Sequence, residues 1–491
     1  MNRQLIEKLI SQKEVGNGFK PFPTRLIAFL ILDSVFKKKA KSDEAINFYL
    51  EKYNPDLRDK NFILELVKGT IKKKLFLDFI IKKFARERFK RTPSEIIFIL
   101  RMGLYQILFM TSVPEYAAVN ESVNLCELIN KKMKRFTNAV LRNIIREKDK
   151  IELPTNNPIL HLSIKHSFPE WMIKRWITEY GIKNCELMCD FFNESFEICL
   201  RTNRLKTTRD NLLKLLKERG INCRKGDYSE NAIYCSNIQG ISKLDLFQEG
   251  FFFIQGEASM LISEILNPEK GSRILDMCSA PGGKATHLAE LIQNNGEIIA
   301  ADIKTEKLNM IEENAKRLGI SCIKTHLWHN TELVGNSHDC SLQKLGVFDY
   351  VLIDAPCSGL GILRKLPDLR WNKKPEDIKS LKKIQSELLE KGLKFLKRSG
   401  ILLYSVCTLT KEENEEVIME FLNNHPELQI INLKDDVVGN GRDRSLPSNS
   451  ACPFYLKSIT FKSFITREGF LKILPFKHKI EGFFAAKIQF K

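Results

Sequence analysis

Two short runs, Asp354-Ala355-Pro356-Cys357-Ser358-Gly359 and Tyr404-Ser405-Val406-Cys407-Thr408, each close an apolar, strand-like stretch and each set a thiol just beyond it. Either cysteine alone reads as a buried structural thiol. Together, with Asp354 three residues before one of them, they meet a definite chemical need. Carbon 5 of cytosine is a poor nucleophile toward a methyl group. A thiolate that adds to carbon 6 turns the ring into an enamine, carbon 5 can then attack a sulfonium methyl, and elimination regenerates the thiol. The scheme asks for a cysteine of low pKa, and for an acid that takes up charge at ring nitrogen 3. Asp354, protonated or sharing a proton with the base, fits the second role. A further group must help to clear the carbon 5 proton and release the enzyme, and Cys357 is placed to do so.

A methyl donor needs its own site, and ligands of parallel sheets lie at the carboxyl ends of the strands. An earlier strand ends in Asp276-Met277-Cys278-Ser279-Ala280-Pro281-Gly282-Gly283-Lys284, with a helix expected to begin near Lys284. Gly282 and Gly283 let the backbone pass close to a ligand, and a helix amino terminus offers N–H groups to a carboxylate. On its own the Gly-Gly turn reads equally as a tight strand-to-helix connection. Asp302, at the end of the next strand, is placed to accept hydrogen bonds from both hydroxyls of a ribose. The G-x-G-x-x-G spacing of a dinucleotide site is missing, so a nucleoside bearing a carboxylate, S-adenosylmethionine, fits better than a nicotinamide cofactor.

These segments need a scaffold, and the rhythm of the chain supplies one. From Arg273 short apolar strands alternate with helices: Ile274-Leu275, 298–300, 323–327, 350–353 and 401–405. This predicts a parallel sheet covered on both faces, an α/β doubly wound domain over 251–491. Residues 20 to 148 instead repeat apolar side chains at helical spacing, as in Leu26, Phe29, Leu30, Val35 and Phe36, and again in Phe62, Leu66, Val67 and Ile71. Asn54-Pro55-Asp56, Thr92-Pro93-Ser94 and Val113-Pro114-Glu115 punctuate the helices, each Pro suiting a first turn. An all-α bundle over 1–150 follows. Pro154 to Pro158 mark a linker, and a helix near 171–180, a strand over 197–201, a helix over 209–218 and short strands to Phe253 make a small α+β adaptor over 151–250.

The 491 residues carry 78 Lys and Arg against 60 Asp and Glu, and residues 1 to 150 hold 31 basic and 17 acidic side chains, most of the excess. Such a bundle suits a polyanion, or else a solubilising surface. The longest apolar stretches, 26–32 and 96–100, are too short to span a membrane, and Met1 to Leu9 does not read as a secretion signal, so a cytoplasmic protein is expected. Twelve dispersed cysteines do not make a disulfide framework. Cys185 and Cys189 lack partners for a tetrahedral site, so they read as core and no metal is expected.

The bundle's wording resembles the antitermination factor NusB: Glu65 to Gly69, Leu100 to Gln106, Val113-Pro114 with Ala117 to Val123, and Asn138 to Arg142. The resemblance implies an RNA-binding domain. Residues 250 to 490 resemble the RsmB/Sun family of RNA 5-methylcytosine methyltransferases. The matching segments are Phe253 to Ser259, Cys278 to Lys284, Asp302, Asp354 to Gly359 with Arg364 to Trp371, Cys407 with Glu412-Glu413-Asn414-Glu415, and Gly482 to Ala486. The whole is a multidomain chain: an all-α NusB-like N-terminal bundle, a small α+β adaptor and a C-terminal α/β Rossmann-like class I methyltransferase domain. The resemblance implies Cys407 as nucleophile, Cys357 as the release cysteine and Asp354 as the acid at the base. It makes Cys278, Ser279, Ala280, Pro281, Gly282, Gly283, Lys284, Asp302 and Asp354 the S-adenosylmethionine site. RNA, above all small-subunit ribosomal RNA, is the implied partner, with no obligate protein partner and a monomer expected.

The sequence departs from the family where an Asp usually faces the adenine amino group. That place falls on His329 or Asn330, of which Asn330 can accept the hydrogen bond in any state. Val406 stands for a common Thr, Gly256 for a usual Asp and Glu481 for the Asp of the terminal motif. Residues 334 to 346 look like an inserted loop. Three rival readings are a non-catalytic RNA-binding regulator, a DNA cytosine methyltransferase whose Pro-Cys thiol attacks, and a transfer RNA methyltransferase. Both cysteines and the bundle disfavour the first two.

Overall fold

The computed structural model describes residues 24–236, 240–328, 345–434 and 462–491. The chain forms two compact units, Met1–Asn193 with Leu366–Asn372, and Glu194–Lys365 with Lys373–Lys491.

The first unit is helical. Helices α1 (Thr24–Lys37), α2 (Ser42–Tyr53), α3 (Leu57–Lys72), α4 (Lys74–Ala85), α5 (Ser94–Phe109), α6 (Glu115–Asn130) and α7 (Lys134–Glu147) share one core. The periodic apolar residues behave as expected: Phe29, Val35, Leu66, Val67 and Ile71 are buried, while Leu30, Phe36 and Phe62 pack at the margin. Helix α5 is central, with every residue from Ile96 to Gln106 buried. Its one buried cation, Arg101, is held by Asp78 of α4 through two bonds of 2.7 and 2.8 Å. A forked contact of this kind is what makes a buried guanidinium tolerable. The turn prolines sit slightly earlier than expected: Pro93 and Pro114 precede the first helical residue, and Asp56, not Pro55, caps α3 by accepting from Asp59 N at 2.8 Å.

Residues 151–250, read as one adaptor, are shared between the units. Helices α8 (Pro158–His166), α9 (Glu170–Tyr180) and α10 (Ile182–Asn193) belong with the bundle, because Phe168, Trp176, Phe191 and Phe192 make an aromatic cluster there. Cys185 and Cys189 are fully buried on α10. Into this cluster comes Leu366–Asn372, distant in sequence. Trp371 donates to Ile71 O at 2.8 Å, and fully buried Arg370 donates to Phe192 O at 2.9 Å and Asn193 Oδ1 at 2.8 Å over the Phe168 ring.

The second unit holds two sheets. The smaller is antiparallel, in the order β2 (Asn222–Lys225), β3 (Ala232–Ser236), β1 (Ile198–Thr202), β4 (Phe252–Ile254), with helix α11 (Arg209–Glu218) against it. The larger has a parallel part running β7 (Ile323–Leu327), β6 (Glu297–Asp302), β5 (Arg273–Asp276), β8 (Phe348–Asp354), β9 (Leu396–Val406). Neighbouring residues such as Ile274 and Leu275, or Leu402 and Leu403, enter cores on opposite faces, which is why these strands read as continuous apolar runs. Helices α12 (Glu257–Leu266), α13 (Gly283–Leu291), α14 (Thr305–Leu318), α15 (Pro375–Lys394) and α16 (Glu415–Asn424) provide covers and crossovers. The sheet is not wholly parallel, as the strand rhythm had implied. Strand β12 (Phe483–Phe490) inserts antiparallel beside β9 and is flanked by β10 (Leu428–Ile430) and β11 (Leu471–Ile473). Short β11, ten residues before β12 in sequence, pairs with it directly, and ladders with both β11 and β9 run antiparallel.

Arg370 provides a stability test. Among the described residues no carboxylate pairs with it, so its worth lies in the carbonyls it satisfies. Arg370→Ala is expected to lower unfolding free energy by about 3 kcal/mol, and Arg370→Lys to recover less than half, because an ammonium lacks the planar fork. Unfolding free energies from urea titration within about 0.5 kcal/mol of the parent for both variants would show that this buried contact is dispensable.

Candidate active site

Strand β5 lies between β6 and β8, and its order in the chain reverses there, the switch point where α/β sheets open a crevice. The sequence-predicted residues Cys278 to Lys284, Asp302, Asp354, Cys357 and Cys407 all follow or close the carboxyl ends of β5, β6, β8 and β9. The structure brings these together. His329 and Asn330, and residues 334 to 344 of the inserted loop, lie outside the described residues.

The two cysteines meet because β8 and β9 are parallel neighbours with Asp354 opposite Ser405. Each chain then leaves its strand on the same edge, and Cys357 Sγ comes to 3.3 Å from Cys407 Sγ. That hydrogen bond, and after it desolvation, pushes the Cys357 thiol well above the usual cysteine range, so Cys357 keeps its proton at neutral pH. Both thiols and Asp354 are only half-buried, while Asp276, Ser279 and Lys284 around them are buried. Gly361 N donates to Cys407 O at 3.0 Å, and Gly482 N donates to Gly361 O at 2.9 Å. A Cβ on Gly361 would stand 2.1 Å from Gly482 O, so this crossing of three segments requires glycine. It also explains why Gly482-Phe483 at the far end of the sequence belongs to the site.

Asp354 has partners that sequence reasoning did not supply. Lys284 Nζ lies 2.6 Å from Oδ2, and Ser405 Oγ donates to Oδ1 at 2.9 Å. The ammonium also faces the Phe483 ring at 5.5 Å. Lys284, expected on the cofactor, is thus bonded to the acid expected on the base. Fully buried Asp276 is pushed up to about 7, first by burial and second by Asp354 nearby. Desolvation and the carboxylates of Asp276, Asp354 and Asp302 raise Cys278 as well, which marks it as a neutral thiol.

The residues present fit a nucleoside with a carboxylate. Gly282 adopts φ +93°, a left-handed turn that side chains resist, and starts the first turn of α13, whose leading N–H groups have no intrahelical partner. Buried Asp276 and the Ser279 hydroxyl have no well-formed hydrogen bond within the described chain, leaving polar capacity beside that turn. Asp302 is buried at the end of β6, accepts from Ile303 N at 2.8 Å, and is reached by Lys307 Nζ at 3.0 and 3.1 Å. Lys307 is half exposed and can yield to another donor.

Two contributors went unassigned in the sequence. Glu413, quoted only as part of a matching run, is fully buried and accepts from Ser358 N, Ser358 Oγ and Thr410 Oγ1 at 2.8, 2.6 and 2.7 Å. Arg201 of β1 donates to Gly283 O at 2.5 Å, Thr286 Oγ1 at 2.9 Å and Glu290 Oε1 at 2.7 Å, along the helix that opens at the glycine turn. The signal for Arg201 was a charged residue inside an otherwise apolar strand.

Three family models match in chain order: the NusB family over residues 23–146, a Methyltr_RsmF/B-like ferredoxin-like domain over 168–241 and the 16S rRNA methyltransferase RsmB/F over 263–489. The chain is 33% identical over 464 residues to the probable ribosomal RNA small subunit methyltransferase B of Bacillus subtilis, covering 94% of each protein. The chain belongs to the RsmB/F methyltransferase family. The Synechocystis protein of the same name is 31% identical, with 95% of this chain and 99% of that one covered. Among solved structures, PH0851 superposes with a TM-score of 0.74 at 25% identity, covering 96% of this chain and 100% of that one. NSun6 from Pyrococcus horikoshii shares the fold at TM-score 0.53 and 22% identity, over 66% of this chain and 98% of its own. The RsmB/F match includes the segments around both cysteines and the glycine turn.

The raised Asp276 gives a pH test. With a folded value near 7 against an ordinary 3.8, the native RsmB/F-family chain binds more protons than the unfolded chain between those limits, so this group lowers stability as pH rises through them. Relative to wild type, Asp276→Asn should gain up to about 4 kcal/mol between pH 4 and pH 8, at 1.36 kcal/mol per pK unit. Parallel urea-stability profiles for the two proteins would exclude an elevated Asp276.

Proposed function

We propose that this methyltransferase transfers a methyl group to carbon 5 of a cytosine in small-subunit ribosomal RNA, through a covalent bond between Cys407 Sγ and carbon 6. The observation that carries this reading is the pair of half-buried thiols 3.3 Å apart, at the ends of adjacent parallel strands and beside Asp354. The names of the Bacillus subtilis and Synechocystis relatives support ribosomal RNA as the substrate.

S-adenosylmethionine, when bound, supplies an electrophilic methyl group. The backbone of Cys278 to Gly283 would hold its amino acid end against the α13 amino terminus, and Asp302 its ribose. Asn330 remains the choice for the adenine amino group. The two sulfurs lie within hydrogen-bond distance of each other, and the resemblance to the RsmB/Sun family makes Cys407 the one that attacks carbon 6. Charge then develops at ring nitrogen 3. Asp354 has spare lone pairs for the base's amino group, and the proton that nitrogen 3 needs is held by the Asp354–Lys284 pair rather than by a lone carboxylic acid. After methylation the carbon 5 proton must leave before the sulfur can. Once Cys407 Sγ is bonded to carbon 6, Cys357 gives its proton to water, and its thiolate then takes the carbon 5 proton as Cys407 Sγ leaves.

The two cysteines should fail in different ways. Cys407→Ala should form neither product nor covalent complex while still binding cofactor. Cys357→Ala retains the nucleophile, so methylated RNA should stay attached and appear as a slow protein–RNA band on a denaturing gel, a band that adding Cys407→Ala abolishes. A band from Cys407→Ala that disappears with Cys357→Ala would reverse the assignment.

Asp302→Ala should weaken S-adenosylmethionine binding by about 1 to 3 kcal/mol, the cost of leaving paired hydroxyls without their acceptor. Calorimetry showing unchanged affinity would place the ribose elsewhere.

A further inference from the structure

Helix α7 separates two cationic grooves on the helical unit. On one side a groove of about 340 Å³ is lined by Tyr116, Val119 and Asn120 of α6 and by Asn138, Arg142 and Arg146 of α7. Tyr116 is 79% exposed, an unusual setting for an aromatic side chain of this size. Arg142 Nε donates to Asn138 Oδ1 at 2.9 Å, which fixes the guanidinium beside the groove. The groove's carboxylate, Glu115, is already taken by Lys148 Nζ at 2.6 Å. Among the described residues neither Arg142 nor Arg146 has an ion-pair partner, so their charge is unopposed.

On the other side a groove of about 770 Å³ lies between α7 and the end of α4, lined by Lys83, Arg86, Arg88, Phe136, Asn143 and Lys150 among others. Lys83, Arg86 and Arg88 are exposed and likewise lack ion-pair partners among the described residues. Arg86 has φ +49°, ψ −134°, a conformation costly for a side-chain-bearing residue.

An exposed aromatic plane that shares a groove with two arginines and two amide side chains has the composition of a site that stacks one nucleobase and meets its edge. Flanking cations without carboxylate partners suit the neighbouring phosphates. A paired base offers no free face to such a tyrosine, so the complementary ligand is a single strand. We propose that the α6–α7 edge binds single-stranded RNA, with one unpaired base on Tyr116 in the groove it shares with Arg142 and Arg146, and the strand crossing α7 to the Lys83, Arg86 and Arg88 groove. This rests on the reading that the chain acts on RNA, and adds where substrate outside the methylation site is gripped.

The test is fluorescence anisotropy of the full chain with a short, unstructured RNA over a range of salt. Tyr116→Ala should weaken binding about tenfold while leaving the salt slope unchanged, and Tyr116→Trp should restore it, because stacking carries no charge. Arg142→Ala with Arg146→Ala should lower affinity and also flatten the log–log slope by about 1.4, at about 0.7 per lost phosphate contact. Tyr116 and both arginines are exposed, so folding should survive these changes. If wild type binds RNA and all these variants bind it equally well, the proposal is overturned and the grooves are surfaces for something else, such as a protein. If wild type itself binds no RNA, the RNA reading fails, and this proposal with it.

Discussion

A buried carboxylate with no cation paired to it among the described residues fixes the distance between the two thiols. Glu413 sits in a 3₁₀ turn over Lys411–Glu413 and takes hydrogen bonds from Ser358, the residue after Cys357, and from Thr410, three residues after Cys407. Gln385 of α15 donates to it at 3.1 Å, and Tyr404 donates to its carbonyl at 2.8 Å. Strand register brings the two loops to the same edge, but register alone leaves each free to swing once pairing ends. Five donors, Thr408 Oγ1 at 3.4 Å among them, converge on one side chain and remove that freedom, and burial raises the cost of breaking any of them. Sulfur–sulfur contact at 3.3 Å is the result, and the elevated Cys357 depends on that contact more than on any other cause.

The cofactor side is held by a comparable device of opposite charge. Arg201 leaves the small antiparallel sheet and runs its donors along the first turns of α13, with Glu290 as counter-ion. It is fully buried and packs over Phe253. Asn203, two residues on, donates to Gly250 O and Leu318 O at 2.8 Å each, tying the end of α14 to the same strand. The small sheet is therefore part of the framework that sets the glycine turn, because the helix following that turn cannot shift without breaking Arg201's bonds. Catalytic geometry made of loops needs such supports, since an ångström of slack is costly in rate.

Much of this was legible in residues, and what was not has a physical reason. Short continuous apolar runs located β5 to β9, because both of their faces are buried, and helical spacing located the helices of the bundle, because burial there selects side chains by face. Cys357, Cys407, Asp354 and Asp302 could be picked out because strand ends in such sheets are where ligands bind. Direction was harder. Strand β12 carries an apolar pattern like its neighbours, and only its pairing with β11 and β9 shows it to be antiparallel. Partners were harder still: nothing in the spacing of Lys284 and Asp354 says that they meet at 2.6 Å, since the crossover through β6 and β7 separates them. The placing of Arg370 and Trp371 with the helical unit is likewise a tertiary fact, invisible to periodicity.

The Lys284–Asp354 contact changes how the proposed chemistry must handle charge. A lone carboxylic acid next to the base would have to be kept neutral in a half-open site, which desolvation alone does poorly. An ammonium bonded to a carboxylate is neutral as a pair, moving a proton within it creates no net charge, and a proton passed to the base cancels the negative charge brought by the adding sulfur while leaving that charge on the pair. Asp276 makes this balance sharper. It is fully buried and near enough to Asp354 to be raised by it, so below about pH 7 the third group stays uncharged. A second carboxylate charge there would compete with Asp354 for the single ammonium and weaken the contact that positions it. The site therefore combines one ion pair, one buried acid that keeps its proton up to about pH 7 and one thiol raised by its neighbour, the charge balance on which the proposed addition of Cys407 to the base would draw.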